Sequence, residues 1–448
     1  MSNKMEEKTM KPAAKRALKP KLRFPEFRDA GEWEEKQLHQ IAKPVSDKAS
    51  DRNNDKMLTL SGEHGLVLQS DYFGKKIAGD NVERYIRIAL NDFVYNDRTT
   101  KLSVYGSIKR LSKYESGIVS PIYKCFRFGA GENPVFWDWY FESGFHEPQL
   151  HGLVNEGARA GRFNISIEMF LSTLVWYPGP AEQQKIADCL SSIDELIIAE
   201  AQKLDTLKAH KKGLMQQLFP AEGETLPKLR FPDFNDDLEW KEYSINELII
   251  KKVLCAPKDG NHGNLHPKSS DYVSAGIPFI MASDLQNGEI DYSKCAYISK
   301  EQADSLQKGF AEEGDVLLTH KGTVGEVALL NKIEFPYLML TPQVTYYRII
   351  DKNKLSNKFL ATLFESEGFQ RNLKVAAGGG TRAYIGITEQ GKLKISIPFN
   401  ILEQQKIADC FFSLNELIIT QNQKLDALKA HKKGLMQQLF SALDEVQG

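Results

Sequence analysis

The residues that most suggest chemistry are a few histidines and a glycine-rich stretch. His146 and His151 bracket the hexapeptide HEPQLH. A zinc-hydrolase helix needs its histidines at i and i+4, so that both imidazoles reach one ion from one face. Here the separation is five residues and Pro148 intervenes, so zinc is not expected. His262 and His266 do stand at i, i+4, but in GNHGNLHP, where Asn, Gly and Pro predict a loop and an incidental pair. His210 and His431 occupy equivalent helical positions and read as surface residues. A phosphate cradle must follow a strand and open a helix. The segment AAGGGTRAYIG (376–386) instead follows a predicted helix and precedes a short strand. There is no GxxxxGK[ST], no strand-linked GxGxxG and no Pro-Pro dipeptide, so the Asn/Asp-Pro-Pro-aromatic motif of amino-methyltransferases is also missing. No motif brings together nucleophile, base and orienting group. The expectation is a chain that is not an enzyme and that carries no metal and no cofactor of its own.

A different chemistry is suggested by four polar turns. NDRTTKLSVYGSIKRL (96–111) and GARAGRFNIS (157–166) lie in the first half of the chain; THKGTVGEVAL (319–329) and GGGTRAYIGIT (378–388) lie in the second. Arg and Lys suit phosphates and guanine edges, and Ser, Thr, Asn and Gln suit either kind of contact on duplex DNA. Glycine lets backbone approach a phosphate closely. The candidates are Arg98, Lys101, Ser103, Tyr105, Lys109, Arg159 and Arg162 in the first half, and Lys321, Thr323, Gln343, Thr345, Thr381, Arg382 and Tyr384 in the second.

These turns need a scaffold. In the first half, residues 84–90, 92–95 and 122–128 read as strands, and 133–145 and 166–174 as helices. In the second, 277–283, 314–320, 325–330 and 343–350 read as strands, and 299–308 and 355–369 as helices. A weak common order links the halves. A strand leads to a polar turn, then to a strand with VSPIYKCFRF or TPQVTYYRI, then to a helix with Phe-Glu-Ser (141–143 and 364–366), and last to a Gly/Arg loop.

The strongest signal is repetition. Residues 182–219 return as 403–440 with 30 of 38 positions identical, and KLRFPEF (21–27) returns as KLRFPDF (228–234), each followed by Glu-Trp. The long repeats read as helices. Apolar residues alternate at spacings of four and three: Ile186, Leu190, Ile193, Ile197, Leu204 and Leu207 in the first, and Ile407, Phe411, Leu414, Ile418, Leu425 and Leu428 in the second. A sustained seven-residue period is a coiled-coil seam. Polar residues interrupt it only at the Glu200/Gln421 and Lys211/Lys432 slots. Near-identity of the copies predicts that the helices pack on each other. Since domain termini lie close together, they should run antiparallel, with a globular unit at each end and a pseudo-two-fold axis. The N-terminal lead-in should then lie near the end of the second helix. Cys189 and Cys410 should be too far apart for a disulfide.

The expected fold class is α+β. A basic disordered tail (1–20) precedes a mixed α/β domain (21–178) and a central conserved helix (179–220). A second mixed α/β domain (221–402), the C-terminal helix (403–440) and a short tail (441–448) follow. The chain has 448 residues and a net charge of −1, so composition gives no global sign of a polyanion partner. Locally, residues 84–127 carry nine Lys/Arg against three acids, and such a patch acts over a Debye length whatever the net charge. Five scattered cysteines without CxxC fit reduced cytosolic thiols. No apolar run approaches the ~18 residues of a membrane helix.

Two divergent domains alternating with two near-identical helices, the KLRFP-[ED]-F lead-in, EQQKIADC and KKGLMQQLF resemble the specificity subunit of type I restriction-modification enzymes. The resemblance covers almost the whole chain from Lys21. It implies that each variable domain is a target recognition domain reading one half of a split, asymmetric DNA site. The helices then act as a ruler, so that changing their length changes the spacer and not the half-site sequences. It further implies two modification subunits, which bind S-adenosylmethionine and methylate adenine, and two restriction subunits, which use ATP and Mg, all in the bacterial cytoplasm. The readings from other classes are a coiled-coil scaffold that binds protein only and a stand-alone enzyme.

Overall fold

Aromatic and branched residues crowd the segments FVYN and VLLT, and in the computed structural model both are central strands covered on both faces. The structure describes residues 17–49, 56–74, 83–99, 103–151, 153, 165–286, 288–378 and 383–441. The chain divides into two units. One holds residues up to Ala199 together with those from Leu425, and the other is Glu200–Lys424.

In the first unit, strands β1 (Ala42–Pro44), β2 (Phe93–Asn96), β3 (Ser107–Arg110) and β4 (Lys124–Phe128) form an antiparallel sheet in the order β1-β4-β2-β3. Alternation splits its side chains between two cores. Phe93, Tyr95, Phe126 and Phe128 pack with Phe136, Trp137 and Phe141 of helix α1 (Pro134–Glu142). Val94 and Cys125 face the other way, onto Leu58, Leu60, Ile88 and Val119 of a second, mixed sheet.

The second unit repeats this plan. Strands β5 (Lys258–Asp259), β6 (Val316–Thr319), β7 (Val327–Leu329) and β8 (Val344–Tyr347) are antiparallel in the order β5-β8-β6-β7. Val316, Leu318 and Tyr347 meet Phe359, Leu363 and Phe364. Leu317 and Tyr346 face Ile280, Leu338 and Leu340 of the neighbouring sheet. An arginine closes over a buried carboxylate at the same place in both: Arg127 reaches Asp92 through Nε and Nη2 at 2.5 and 2.8 Å, and Arg348 reaches Asp315 at 2.8 Å through both.

Some element bounds differ from the sequence reading. Residues 355–369 form not one helix but two, Asn357–Glu365 (α3) and Glu367–Ala376, because Ser366 leaves helical geometry and caps the second by accepting from Phe369 N. The segment 166–174 is helical only over Ile167–Leu171, and Leu174–Tyr177 is a strand paired with Trp33–Gln37.

The repeats are unbroken 39-residue helices, α2 (Pro180–Leu218) and α4 (Ile401–Leu439). Of the expected seam residues, Ile186, Leu190, Leu204, Ile407, Phe411 and Leu425 are buried, and Ile193, Ile197, Leu207, Leu414, Ile418 and Leu428 are half-buried. In the first unit Ile186 and Leu190 share a core with Leu439 and Phe440, and Lys432 pairs with Asp194. In the second, Glu200 accepts from Gln421 at 2.5 Å and pairs with Lys424, while Leu218 shares a core with Ile407 and Phe411. As numbers rise along α2 they fall along α4, so the helices are antiparallel. Glu200 and Gln421 are equivalent positions of the repeats and meet each other.

Helix packing alone does not account for the repeat. Three of its first four residues make matching contacts in each unit, two of them to the lead-in motif. Arg23 and Glu182 form a buried pair at 2.7 Å, as do Arg230 and Glu403. Gln183 accepts from Asn133 N, the N-cap residue of α1, at 3.1 Å; Gln404 accepts from Ser356 N, the N-cap residue of α3, at 2.9 Å. Lys185 meets Glu26, and Lys406 meets Asp233. The N-terminal lead-in lies at the end of α4, with Lys21 N donating to Ser441 O and Leu22 N to Gln438 O. In the second unit Leu229 N donates to Gln217 O.

One consequence concerns acid. The hydrogen bond from Gln421, and then Lys424, hold the Glu200 pKa below its ordinary 4.5. A depressed carboxylate pKa contributes stability above the unfolded value, lost as pH falls through the folded one. Glu200→Gln is therefore expected to destabilise most near neutrality. The gap to the parent should close as urea titrations are repeated below pH 4.5; a gap constant with pH would contradict this.

All five cysteines are free thiols. No helix among the described residues is long and apolar enough to cross a membrane.

Candidate nucleic-acid interface

Strand β2 ends at Asn96 and β6 at Thr319, and the chain leaves each into a polar turn. The second residue beyond each end is basic and exposed: Arg98 and Lys321. Neither makes an ion pair among the described residues. The turn after β2 closes through Gly106 (φ +83°), where a Cβ would lie 2.3 Å from Asn96 O. Only glycine fits so close to the opposing backbone.

The other candidates fall into distinct settings. Ser103 is half-buried and accepts from Ser107 Oγ at 3.1 Å. Tyr105 is half-buried on the aromatic core, and its carbonyl accepts from Tyr95 Oη at 2.8 Å. Lys109 is mostly covered and pairs with Glu142. Arg98, Ser103 and Lys109 line one cleft together with Asn96, Tyr72 and Glu142. In the second unit Thr323 is exposed, and Tyr384, 51% exposed, bridges to Lys321. Gln343 is half-buried and accepts from Ala282 N at 3.2 Å. Thr345 corrects the sequence reading. It is fully buried and accepts from Gln390 Nε2 at 3.2 Å, because both faces of β8 are covered. Lys101, Arg159, Arg162, Thr381 and Arg382 lie outside the described residues.

The histidines do not gather. His146 stands edge-on to Phe141, and burial pushes its pKa down to about 3. His262 meets Asp259 at 2.7 Å, while His266 packs on Phe279. No group of three or more His, Cys, Asp or Glu able to hold a metal occurs among the described residues.

Beneath the turns lies a polar layer that sequence reasoning missed. In the first unit Asp97, buried, pairs with Lys124 at 2.6 Å. In the second the corresponding residue is His320, wholly buried. Nearby, Asp259 takes both Lys308 and His262. Burial alone would raise the Asp259 pKa, but the hydrogen bonds from Lys308 and His262 hold it below the usual carboxylate value. Only the alignment of NDFVYND with GDVLLTH could have pointed to this layer.

Known proteins share this organisation. Residues 238–430 match the family model described as type I restriction modification DNA specificity domain. The chain is 22% identical over 285 residues to the type I restriction enzyme MjaVIII specificity subunit of Methanocaldococcus jannaschii, covering 62% of this chain and 64% of that one. It is 24% identical over 264 residues to the MjaIX specificity subunit of the same organism, covering 59% of each. It therefore spans somewhat under two thirds of the length of these curated relatives. Among solved structures, the type I restriction-modification S subunit from M. genitalium superposes with a TM-score of 0.57 at 13% identity, over 95% of this chain and 100% of that one. A chain from a study of complex assembly and conformational transition in the type I R-M system gives 0.53 at 17%, over 91% and 97%. At such identities the structures speak for the fold, and the family model and curated relatives for the kinship. Residues 238–430 thus match a type I restriction-modification DNA specificity domain, and the chain is similar to type I specificity subunits.

Proposed function

We propose that this chain is the non-catalytic, DNA-reading subunit of a type I restriction-modification complex, and that each unit reads one half of a split site on double-stranded DNA. The observation that carries this is the same sheet built twice, each copy presenting on a divergent turn an exposed cation without an ion pair among the described residues, Arg98 in one and Lys321 in the other. A scaffold that binds protein only has no need for two divergent turns on two matched sheets. The candidates outside the described residues (Lys101, Arg159, Arg162, Thr381 and Arg382) belong to this proposal on their chemistry alone.

The partners follow from the repeat. Its exposed positions are kept as well as its packed ones: Glu195 and Glu416, Leu196 and Leu417, Lys208 and Lys429. Packing does not require those identities. Leu196 and Leu417 are large apolar side chains left 43% and 54% exposed. A surface presented twice suits two copies of one partner, which we take to be two modification subunits carrying S-adenosylmethionine. Two restriction subunits using ATP and Mg complete the complex, which acts in the bacterial cytoplasm.

The decisive experiment exchanges the first variable region, residues 21–178, for that of another subunit and maps methylated adenines genome-wide. One half of the modified site should change and the other stay as it was. If both halves of the modified site were unaltered, the proposal would be wrong.

A further inference from the structure

We infer that His320 is a positioning residue, which fixes the turn after β6 against the segment 383–386 so that Lys321 and Tyr384 address DNA as one surface. This rests on the DNA-reading proposal and names the group that sets the shape of the second reading surface.

His320 is 0% exposed, yet it touches each segment that carries a described candidate of this unit. Its N–H donates to Gln343 O at 2.9 Å and its carbonyl accepts from Ile385 N at 3.1 Å. Its ring Nδ1 lies 3.0 Å from Ile385 O. A carbonyl can only accept, so Nδ1 carries a proton, and in the neutral ring Nε2 is then the bare acceptor. The ring face supports Tyr384, with centroids 5.8 Å apart and planes at 44°. The next residue, Lys321, bridges to Tyr384. One side chain thus ties the turn to the end of the glycine-rich loop by a ring hydrogen bond and a ring contact, and its backbone adds two more bonds.

The tie is neutral. Burial lowers the pKa of His320, with His262 and Lys321 acting in the same direction against the Ile385 bond and Asp259. Nε2 is buried without a hydrogen-bond partner among the described residues, 3.9 Å from Asp259 Oδ2, which is already engaged by His262. A buried polar atom left unpaired costs stability, so this imidazole is kept for what its other nitrogen and its face do. In the first unit the corresponding Asp97 anchors its turn from below through Lys124 at 2.6 Å. The position thus holds a buried polar side chain in both units, with different chemistry.

The test uses the full chain with its modification partner and selection from a randomised duplex DNA library. His320→Leu keeps the backbone bonds and removes the Nδ1 donor; His320→Asn restores an N–H at that reach. His320→Leu should lose on the order of 10-fold or more of base discrimination in the second unit's half of the site, with the other half unchanged. His320→Asn should recover most of it. Tyr384→Ala, at an exposed position, should reproduce the loss without lowering the unfolding midpoint. The inference is overturned if His320→Leu leaves the second half-site intact, if His320→Asn is no better than His320→Leu, or if both halves weaken equally. Should the unsubstituted complex enrich no split site, the DNA-reading proposal itself fails and this inference with it.

Discussion

Replacing Glu403 with Leu is expected to destabilise the second unit by about 3–5 kcal/mol, because it leaves Arg230 buried without its counter-charge. The side chains of the pair are 7% and 1% exposed. Arg230 meets Glu403 through Nε and Nη2 at 2.8 and 2.7 Å, and its remaining donors reach Asp237 O and Leu238 O. Trp240 Nε1 also donates to Glu403, at 3.2 Å. Removing the carboxylate therefore takes the acceptor from three N–H groups, two on Arg230 and one on Trp240, and each buried unsatisfied group carries its own cost. The double variant Arg230→Met with Glu403→Leu removes both charges and is expected to recover much of the loss, since desolvation offsets most of what a buried pair gains. Hydrogen exchange, followed separately in the two units, gives the readout. The single variant should lose protection around 240–250 and 401–411. If the double variant were as unstable as the single one, the cost would lie in lost packing and not in an orphaned charge. Glu182→Leu should act alike in the first unit, where Arg23 and Glu182 are 6% and 4% exposed.

That pair also marks how far the sequence could be read. The repeat was plain, and the antiparallel seam followed from its period and from chain connectivity. The reason assigned to the repeat was incomplete, because periodicity reports only which face is apolar. It could not say that Glu182, Gln183 and Lys185 are kept because each reaches back to a partner near 23, 133 or 26. Nor could alternation give the burial of Thr345, since it presumes one wet face while β8 is covered on both. The break at Ser366 was hidden for a related reason. The apolar face continues through FLATLFESEGF, and a serine that caps a new helix looks, in sequence, like one more polar residue on an old one. The layer of Asp259, Lys308 and His320 joins residues from three distant segments, and no local pattern announces it. What was legible depended on neighbours along the chain; what was not depended on neighbours across it.

The reading turns make the second large prediction. Arg98→Ala is expected to weaken specific binding by about 1–3 kcal/mol and to relax one base position in one half of the site, as loss of a bidentate guanidinium contact does. Lys321→Ala should act on the other half. Because the two lie in separate units and share no partner, their costs should add, and the double variant should lose about 2–6 kcal/mol, enough to remove specific binding. Lys109 provides the contrast. It is a lysine like Lys321 and sits beside Arg98 in one cleft, but its ammonium is committed to Glu142 and its side chain is only 16% exposed. Lys109→Ala should therefore change affinity much less than Arg98→Ala. Arg98→Lys separates shape from charge. A point charge keeps the attraction to phosphate but not the planar fork, so base preference should fall while the salt dependence stays. If instead Arg98→Ala reduced the salt slope by about 0.9 with every base preference intact, Arg98 would be a phosphate contact and reading would belong to other residues of the turn. Equal losses for Arg98→Ala and Lys109→Ala would mean that the Glu142 pair opens on DNA, and that exposure in the free protein does not select the reading residues.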